Sequence, residues 1–306
     1  MTDTHLFSIS EIERETGLAR DTLRVWERRY GYPLPLRNEL GERKYDGEQL
    51  NRLRLIKRLM DSGLQPGKLI PLDNRQLQQL MVSPGTFSSE VEEVLYILAS
   101  GALHLLTPCL KELQRRHGLR NFLTDVVAPL NEAVGEAWFS GRIGVRDEHY
   151  YTEQLRRVLL PVSFPKEEFK ETALRTLLTT LPGEPHGIGL LMVDCTLSQE
   201  GVEVFPLGVQ TPLDEIVQGA VGNQCHIVGI SCSEYMNRRT LAAQLVSLRK
   251  LLPENITLWV GGSGVRNMTL LDKHIRIFTG LYQLPEAVSA EISARVLRSR
   301  ATSQHQ

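Results

Sequence analysis

The hydrophobic period changes twice along the 306 residues, and the second change, near residue 172, fixes the class of the C-terminal half. From there short β-type runs, Leu174–Thr180, Val202–Leu207, Ile227–Ser231, Thr257–Val260 and Ile275–Thr279, alternate with helical segments, Gly187–Leu197, Leu213–Val221, Arg238–Leu252 and Glu286–Arg298. A strand followed by a crossover helix returns to its sheet in parallel. The alternation therefore predicts a Rossmann-like, doubly wound α/β domain over residues 172–300. Ligands of such sheets sit beyond the carboxyl ends of the strands. The tail ATSQHQ is expected to fray.

Ahead of this half, apolar residues recur at three- and four-residue spacing: Val91, Val94, Leu95 and Leu98, then Leu103, Leu106, Leu110 and Leu113, then the runs Phe122–Trp138 and Glu148–Leu160. Such stripes are buried only against one another, which predicts a four-helix bundle over residues 90–165. The polar stretch Pro71–Ser89, with DNRQLQQ and SPGTFSS, reads as a linker centred on residues 76–89, and FPKEEFKE at 164–171 as a second connector.

Residues 1–75 are charge-rich and punctuated by glycines. Phe7-Ser8-Ile9-Ser10-Glu11-Ile12 can cap and start a helix, Glu15-Thr16-Gly17-Leu18 supplies a tight turn, and Asp21 is placed to cap a second helix, Thr22–Arg29. This is helix-turn-helix layout, whose second helix enters a major groove. Arg20, Arg24 and Arg28 share one helical face, while Leu23 and Trp26 face the core. PLPLRNELGERKYDGEQL reads as a two-stranded wing turning near Glu39–Gly41, with Arg37, Arg43, Lys44 and Tyr45 as phosphate contacts.

Charge alone argues against nucleic acid, since Lys+Arg 35 against Asp+Glu 36 leaves a formal charge of -1. That balance is an average over the modules, for residues 1–72 hold 13 Lys+Arg against 11 Asp+Glu. So small an excess predicts weak, salt-sensitive DNA binding by the head itself. The four cysteines, Cys109, Cys195, Cys225 and Cys232, form no CxxC pair and read as reduced core thiols. Val94–Leu106, the longest apolar stretch, is broken by Ser100, Gly101 and His104 and falls short of the ~18 residues a membrane span needs. The expectation is a soluble cytoplasmic protein with no membrane partner.

Two constellations carry chemistry. Between the first strand and first helix of the α/β half, Glu184, His186 and Gly189 make E-x-H-x-x-G. A histidine there points into the ligand crevice, Glu184 can fix its tautomer for metal binding, and Gly189 lets a large ligand approach. Ser231 lies 42 positions after Gly189 and closes the strand IVGI, and Gly261-Gly262 follow the strand TLWV. Small residues at successive strand ends hollow out a slot. In the bundle, Trp138 is followed by nine residues and then Glu148-His149. An indole offers a broad rigid surface, and a carboxylate accepts hydrogen bonds from hydroxyls.

FSISEIERETGLARDTLRVWERRYG, GERKY and LNRLRLIKRLMDSGLQPGKL, in that order, resemble the MerR family of winged-helix transcription regulators. The resemblance implies DNA contacts at Thr22, Arg24, Arg43 and Tyr45 and dimers on palindromic sites. Pro66 and Pro71 interrupt the region where that family carries its long dimerisation helix. The E-x-H-x-x-G, Ser231 and Gly261-Gly262 pattern resembles the cobalamin-binding module of the methionine synthase type, with Ser233 where leucine is usual. It implies His186 as the lower cobalt ligand, with Glu184 beside it, and the nucleotide tail along Ser231, Gly261 and Gly262. The W-x9-E-H pattern resembles the cap of cobalamin-dependent light-sensing MerR regulators, the CarH/LitR photoreceptor group. There Trp138, Val145, Glu148 and His149 would cover the upper adenosyl group. A histidine that follows the tryptophan in that group is replaced by Phe139, which cannot ligate a metal.

The resemblance implies a repressor, not an enzyme, that binds adenosylcobalamin, assembles with itself as dimer or tetramer, and engages double-stranded operator DNA until light breaks the cobalt–carbon bond. Two alternatives stay open. One is a regulator whose α/β module has lost its cofactor and docks a protein antagonist. The other is a corrinoid methyl-carrier subunit, which the winged-helix head counts against.

Overall fold

The computed structural model describes residues 6–38, 40–61, 64–81, 87–163, 173–266, 268, 272 and 274–303. Outside them lie Glu39 of the wing turn, the whole of the second connector and part of the first, and the last three residues of the tail.

The N-terminal elements are β1 (Phe7–Ser8), α1 (Ile9–Thr16), α2 (Arg20–Tyr30), β2 (Leu36–Arg37), β3 (Arg43–Tyr45), α3 (Gly47–Asp61), α4 (Pro66–Leu69) and α5 (Asn74–Met81). Serine and glutamate spacing starts α1: Ser8 Oγ accepts the Glu11 N–H at 3.3 Å, and the Glu11 carboxylate takes the Ser8 N–H at 2.7 Å. Gly17, at φ 69°, ends it in the left-handed conformation. The expected cap of α2 is displaced. Ala19 stands at the cap without a side-chain bond, and Asp21 lies in the first turn, paired with Arg24 at 3.1 Å. β3 is central in a small antiparallel sheet, with Phe7 opposite Tyr45 and Arg37 opposite Arg43. Ile12, Leu23, Trp26, Tyr45, Leu53, Ile56 and Leu77 form one core. Leu77 belongs to α5, so part of the stretch read as a linker is a helix buried into this core.

The helical middle comprises α6 (Ser89–Ser100), α7 (Leu106–Asn121), a π-helical segment (Phe122–Val127), α8 (Ala128–Phe139) and α9 (Val145–Ser163). Its stripes are buried as the spacing dictates, including Val91, Val94, Leu95, Leu98, Leu106, Leu110 and Leu113, whereas Leu103 stays half-buried. Gly118, at φ 71° and ψ 161°, breaks α7 near its end.

The α/β part contains β4 (Arg175–Thr179), α10 (Ile188–Gln199), β5 (Glu203–Gly208), α11 (Leu213–Gly222), β6 (Ile227–Ser231), α12 (Arg238–Leu251), β7 (Thr257–Gly261), β8 (Ile275–Phe278) and α13 (Leu284–Ser303). Its parallel five-stranded sheet runs β5-β4-β6-β7-β8. Both faces are covered, as a parallel sheet requires: Leu177, Val228, Leu258 and Val260 on one side, Leu178, Ile227, Trp259 and Phe278 on the other. The strand order reverses at β4, which opens a crevice beyond the carboxyl ends of β4 and β6.

Two compact units are present: residues 1–88 with 135–142, and residues 89–134 with 143–306. Within the second, α9 packs along α10, where Cys195 Sγ–H donates to the Leu159 carbonyl at 3.6 Å and Ser198 Oγ–H to the Ser163 carbonyl at 3.0 Å.

Candidate functional site

The loop after β4 and the loop after β6 meet at the topological switch of the sheet. Glu184, on the first, is 1% exposed, yet its carboxylate is met by four donors. Oε1 accepts the His186 backbone N–H at 3.1 Å and lies 2.7 Å from His186 Nδ1. Oε2 accepts the Ser233 N–H at 2.8 Å and its hydroxyl at 2.7 Å. Burial raises the affinity of such a carboxyl for a proton, but the bonds from His186 and Ser233 outweigh it and hold Glu184 below the usual carboxylate range. The magnitudes agree, since bonds to an ionised group contribute about 1.5–3 kcal/mol each against a desolvation cost of several kcal/mol.

An ionised Glu184 can only accept, so the proton facing it must sit on His186 Nδ1. In the neutral imidazole the nitrogen with the lone pair is then Nε2, on a side chain that is 55% exposed. Tyr235 stands edge-on to the imidazole, ring centroids 5.2 Å apart. Ser233 thus has a role that sequence reasoning missed: in place of leucine, it joins the carboxylate that orients the histidine, and its Oγ lies 3.3 Å from His186 Nδ1. The signal was legible, because a serine at an apolar position needs a partner. The loop is further anchored by Thr180, whose hydroxyl donates to the Glu184 carbonyl at 2.6 Å and accepts the Gln210 N–H at 2.8 Å. Burial, with Glu184 beside it, pushes the Cys232 thiol above its usual range, so it stays protonated.

The small residues at the strand ends serve the fold first. A Cβ at Gly189 would stand 2.5 Å from Ser231 Oγ, and one at Gly262, where φ is 102°, would stand 2.2 Å from the Cys232 carbonyl oxygen. The space expected at Gly189 for a ligand is taken by Ser231, whereas Gly261 meets only ordinary contacts with Phe278.

On α9, Val145 is 54% exposed, the His149 side chain is 73% exposed, and Glu148 is half-buried and accepts the Thr152 hydroxyl at 3.0 Å. Trp138 is half-buried on the last turn of α8, in the compact unit of the N-terminal elements, while Val145, Glu148 and His149 lie in the other unit.

In the N-terminal unit Arg20, Arg24 and Arg28 are exposed on α2, with Thr22 half-buried. Ion pairs hold several of the expected contacts: Arg20 to Glu13 at 2.6 Å, Arg24 to Asp21, and Arg43 to Glu27 at 2.8 Å. Arg37 donates to the Gly41 carbonyl at 3.1 Å. Tyr45 is the correction, being fully buried. Its ring fills the core under the wing, the inward position that alternation along β3 assigns it, and is not presented to a phosphate.

No helix among the described residues is long and apolar enough to cross a membrane. Residues 7–71 match the family model described as MerR HTH family regulatory protein, and residues 174–280 that of the B12 binding domain. The chain is similar to the HTH-type transcriptional repressor CarH of Myxococcus xanthus, 27% identical over 261 residues that cover 82% of this chain and 87% of the relative. It is 29% identical to the HTH-type transcriptional repressor CarA of the same organism over 265 residues, 84% of this chain and 87% of that one. The fold of the monomethylamine corrinoid protein of Methanosarcina barkeri matches with a TM-score of 0.51 at 16% identity, over 65% of this chain and 96% of that one. A MerR HTH domain followed by a B12-binding domain, similar over most of its length to two repressors, makes this chain a MerR-type DNA-binding regulator.

Proposed function

We propose that the chain is a transcriptional repressor whose self-assembly and affinity for operator DNA are set by adenosylcobalamin, with light as the releasing signal. The observation that carries the reading is the buried Glu184 carboxylate 2.7 Å from His186 Nδ1, on a histidine whose side chain is 55% exposed. That donor set fits a corrinoid metal, because a neutral imidazole with a fixed tautomer is a good cobalt ligand.

His186 would hold cobalt through Nε2, with Glu184 and Ser233 keeping the ring in place. Ser231, Gly261 and Gly262 would flank the nucleotide tail, with Gly189 keeping Ser231 in position. Trp138, Val145, Glu148 and His149 would cover the upper face, the indole by contact and the Glu148 carboxylate by accepting ribose hydroxyls. When bound, adenosylcobalamin supplies a cobalt–carbon bond that light breaks. A ligand shifts an assembly equilibrium only by its differential affinity for the two states, and pairing of heads then multiplies DNA affinity. Arg20, Thr22, Arg24, Arg28, Arg37 and Arg43 would meet the DNA, with Arg43 and Arg20 exchanging Glu27 and Glu13 for phosphates.

The test is direct. Protein mixed with adenosylcobalamin in darkness and desalted should keep cobalamin absorbance, elute as an oligomer and shift DNA from upstream of its own gene. Illumination should lower the mass and release the DNA, and His186→Ala should lose the absorbance. A desalted sample that stays colourless yet binds DNA would sink the cofactor reading and favour a cofactor-free docking module. An unchanged mass after illumination would sink the light signal.

A further inference from the structure

Residue 187 has no side chain, and two neighbours use the space. A Cβ there would meet Val209 Cγ1 at 3.2 Å and Arg156 Nη2 at 3.6 Å. Arg156 therefore lays its guanidinium against the residue that follows His186, although it comes from α9, 31 positions away in sequence. Among the described residues its one ion pair is long, to Glu153 at 3.7 Å, and 42% of its side chain remains exposed. A cation gains nothing from the start of α10, whose partial charge is also positive. A surface pair of that length contributes about 0–1 kcal/mol, so the fold alone does not account for the placement.

The position of Arg156 along α9 is informative. Glu148, Thr152 and Arg156 recur every four residues and so form one stripe, half-buried between the buried Tyr151, Leu155 and Leu159 and the exposed outer face. Eight residues at 1.5 Å each put Glu148 about 12 Å along the axis from Arg156. One helix face thus carries a carboxylate at one end and, at the other, a guanidinium against the residue that follows His186.

Resting on the cobalamin reading above, we infer that Arg156 is a binding residue of the same site, donating to carboxamide oxygens on the rim of the macrocycle held by His186. Cobalamin carries such amides around its periphery, and a guanidinium presents several donors in a fixed fork. The contact also ties occupancy at His186 to the helix that bears Glu148.

The experiment is an absorbance titration of the full chain with adenosylcobalamin in darkness, for wild type, Arg156→Gln, Arg156→Lys and His186→Ala. Arg156→Gln should bind about tenfold more weakly, the loss of one charged hydrogen bond, and Arg156→Lys should fall between. A purely structural role is separated by cobalamin monocarboxylic acids, in which one rim amide is a carboxylate. At least one isomer should gain affinity for wild type and lose that gain in Arg156→Gln. Melting of Arg156→Gln at the wild-type temperature shows that it folds. Equal affinities and equal amide-to-carboxylate preference in Arg156→Gln and wild type overturn the inference while leaving His186→Ala to report on the cofactor. No binding by wild type overturns the cobalamin reading itself, and the inference with it.

Discussion

At the residue scale, the site depends on contacts that leave no room for an added atom. Gly189 admits Ser231 Oγ at a distance no Cβ tolerates. Gly189→Ala should therefore destabilise the chain by about 1–3 kcal/mol, the usual cost of an overpacked position. The backbone of Ser231 is not the obstacle, since its Cβ lies at 3.7 Å. Removing the hydroxyl in Gly189→Ala/Ser231→Ala should recover most of the loss in urea unfolding, and a double variant no more stable than the single one would refute this account. Gly262 differs, because its obstacle is the Cys232 carbonyl and its φ is 102°. Gly262→Ala should cost more, about 3 kcal/mol or above, and no side-chain change should rescue it.

Elements transmit charge as well as shape. On α10, Asp194 accepts the Ser198 hydroxyl at 3.2 Å, and burial, only partly opposed by that bond, pushes its carboxyl up to about 6. A carboxyl raised in the folded state binds more protons there than in the unfolded chain. Stability should therefore fall as pH rises from the ordinary aspartate value, about 3.9, to about 6. Asp194→Asn should flatten that fall in thermal unfolding followed against pH, and an unchanged slope would show that Asp194 is not its source. On α2, Glu27 holds the wing through Arg43, each side chain 26% exposed. Glu27→Gln should release the guanidinium and tighten DNA binding several-fold in a mobility shift at fixed salt, because one more cation then faces phosphate. Weaker binding would mean that the pair positions the wing rather than masks it. The helix and strand segments read from periodicity in the α/β half coincide with the observed elements to within a few residues. Strands buried on both faces and helices of this length leave strong patterns. The cap of α2 was misread because Asp21 also satisfies a first-turn position, where a carboxylate suits the helix dipole.

For the whole molecule, charge balance governs DNA binding. The near-neutral total hides a head of slight positive excess in which Arg20, Arg24 and Arg43 are paired with neighbouring carboxylates. Binding should then be strongly salt-dependent, with log affinity falling by about 0.9 per phosphate contact for each unit of log salt. The slope should be about twice as steep for a paired assembly as for a single head. A slope unchanged between dark, adenosylcobalamin-loaded protein and illuminated protein would show that assembly does not set the number of phosphate contacts.

The sequence by itself determined the class of each part, because period-two and period-3.6 patterns, turn glycines and short motifs are local properties of the chain. It also singled out Glu184 and His186, which lie two positions apart on one loop. Only the tertiary structure decided what those residues meet. Ser233 completes the carboxylate network from 49 positions away, Arg156 reaches Gly187 from another helix, Tyr45 turns into the core, and Gly189 is filled by Ser231. Such partners are chosen by strand order and by which faces must be buried, and neither quantity is written in the spacing of any one segment.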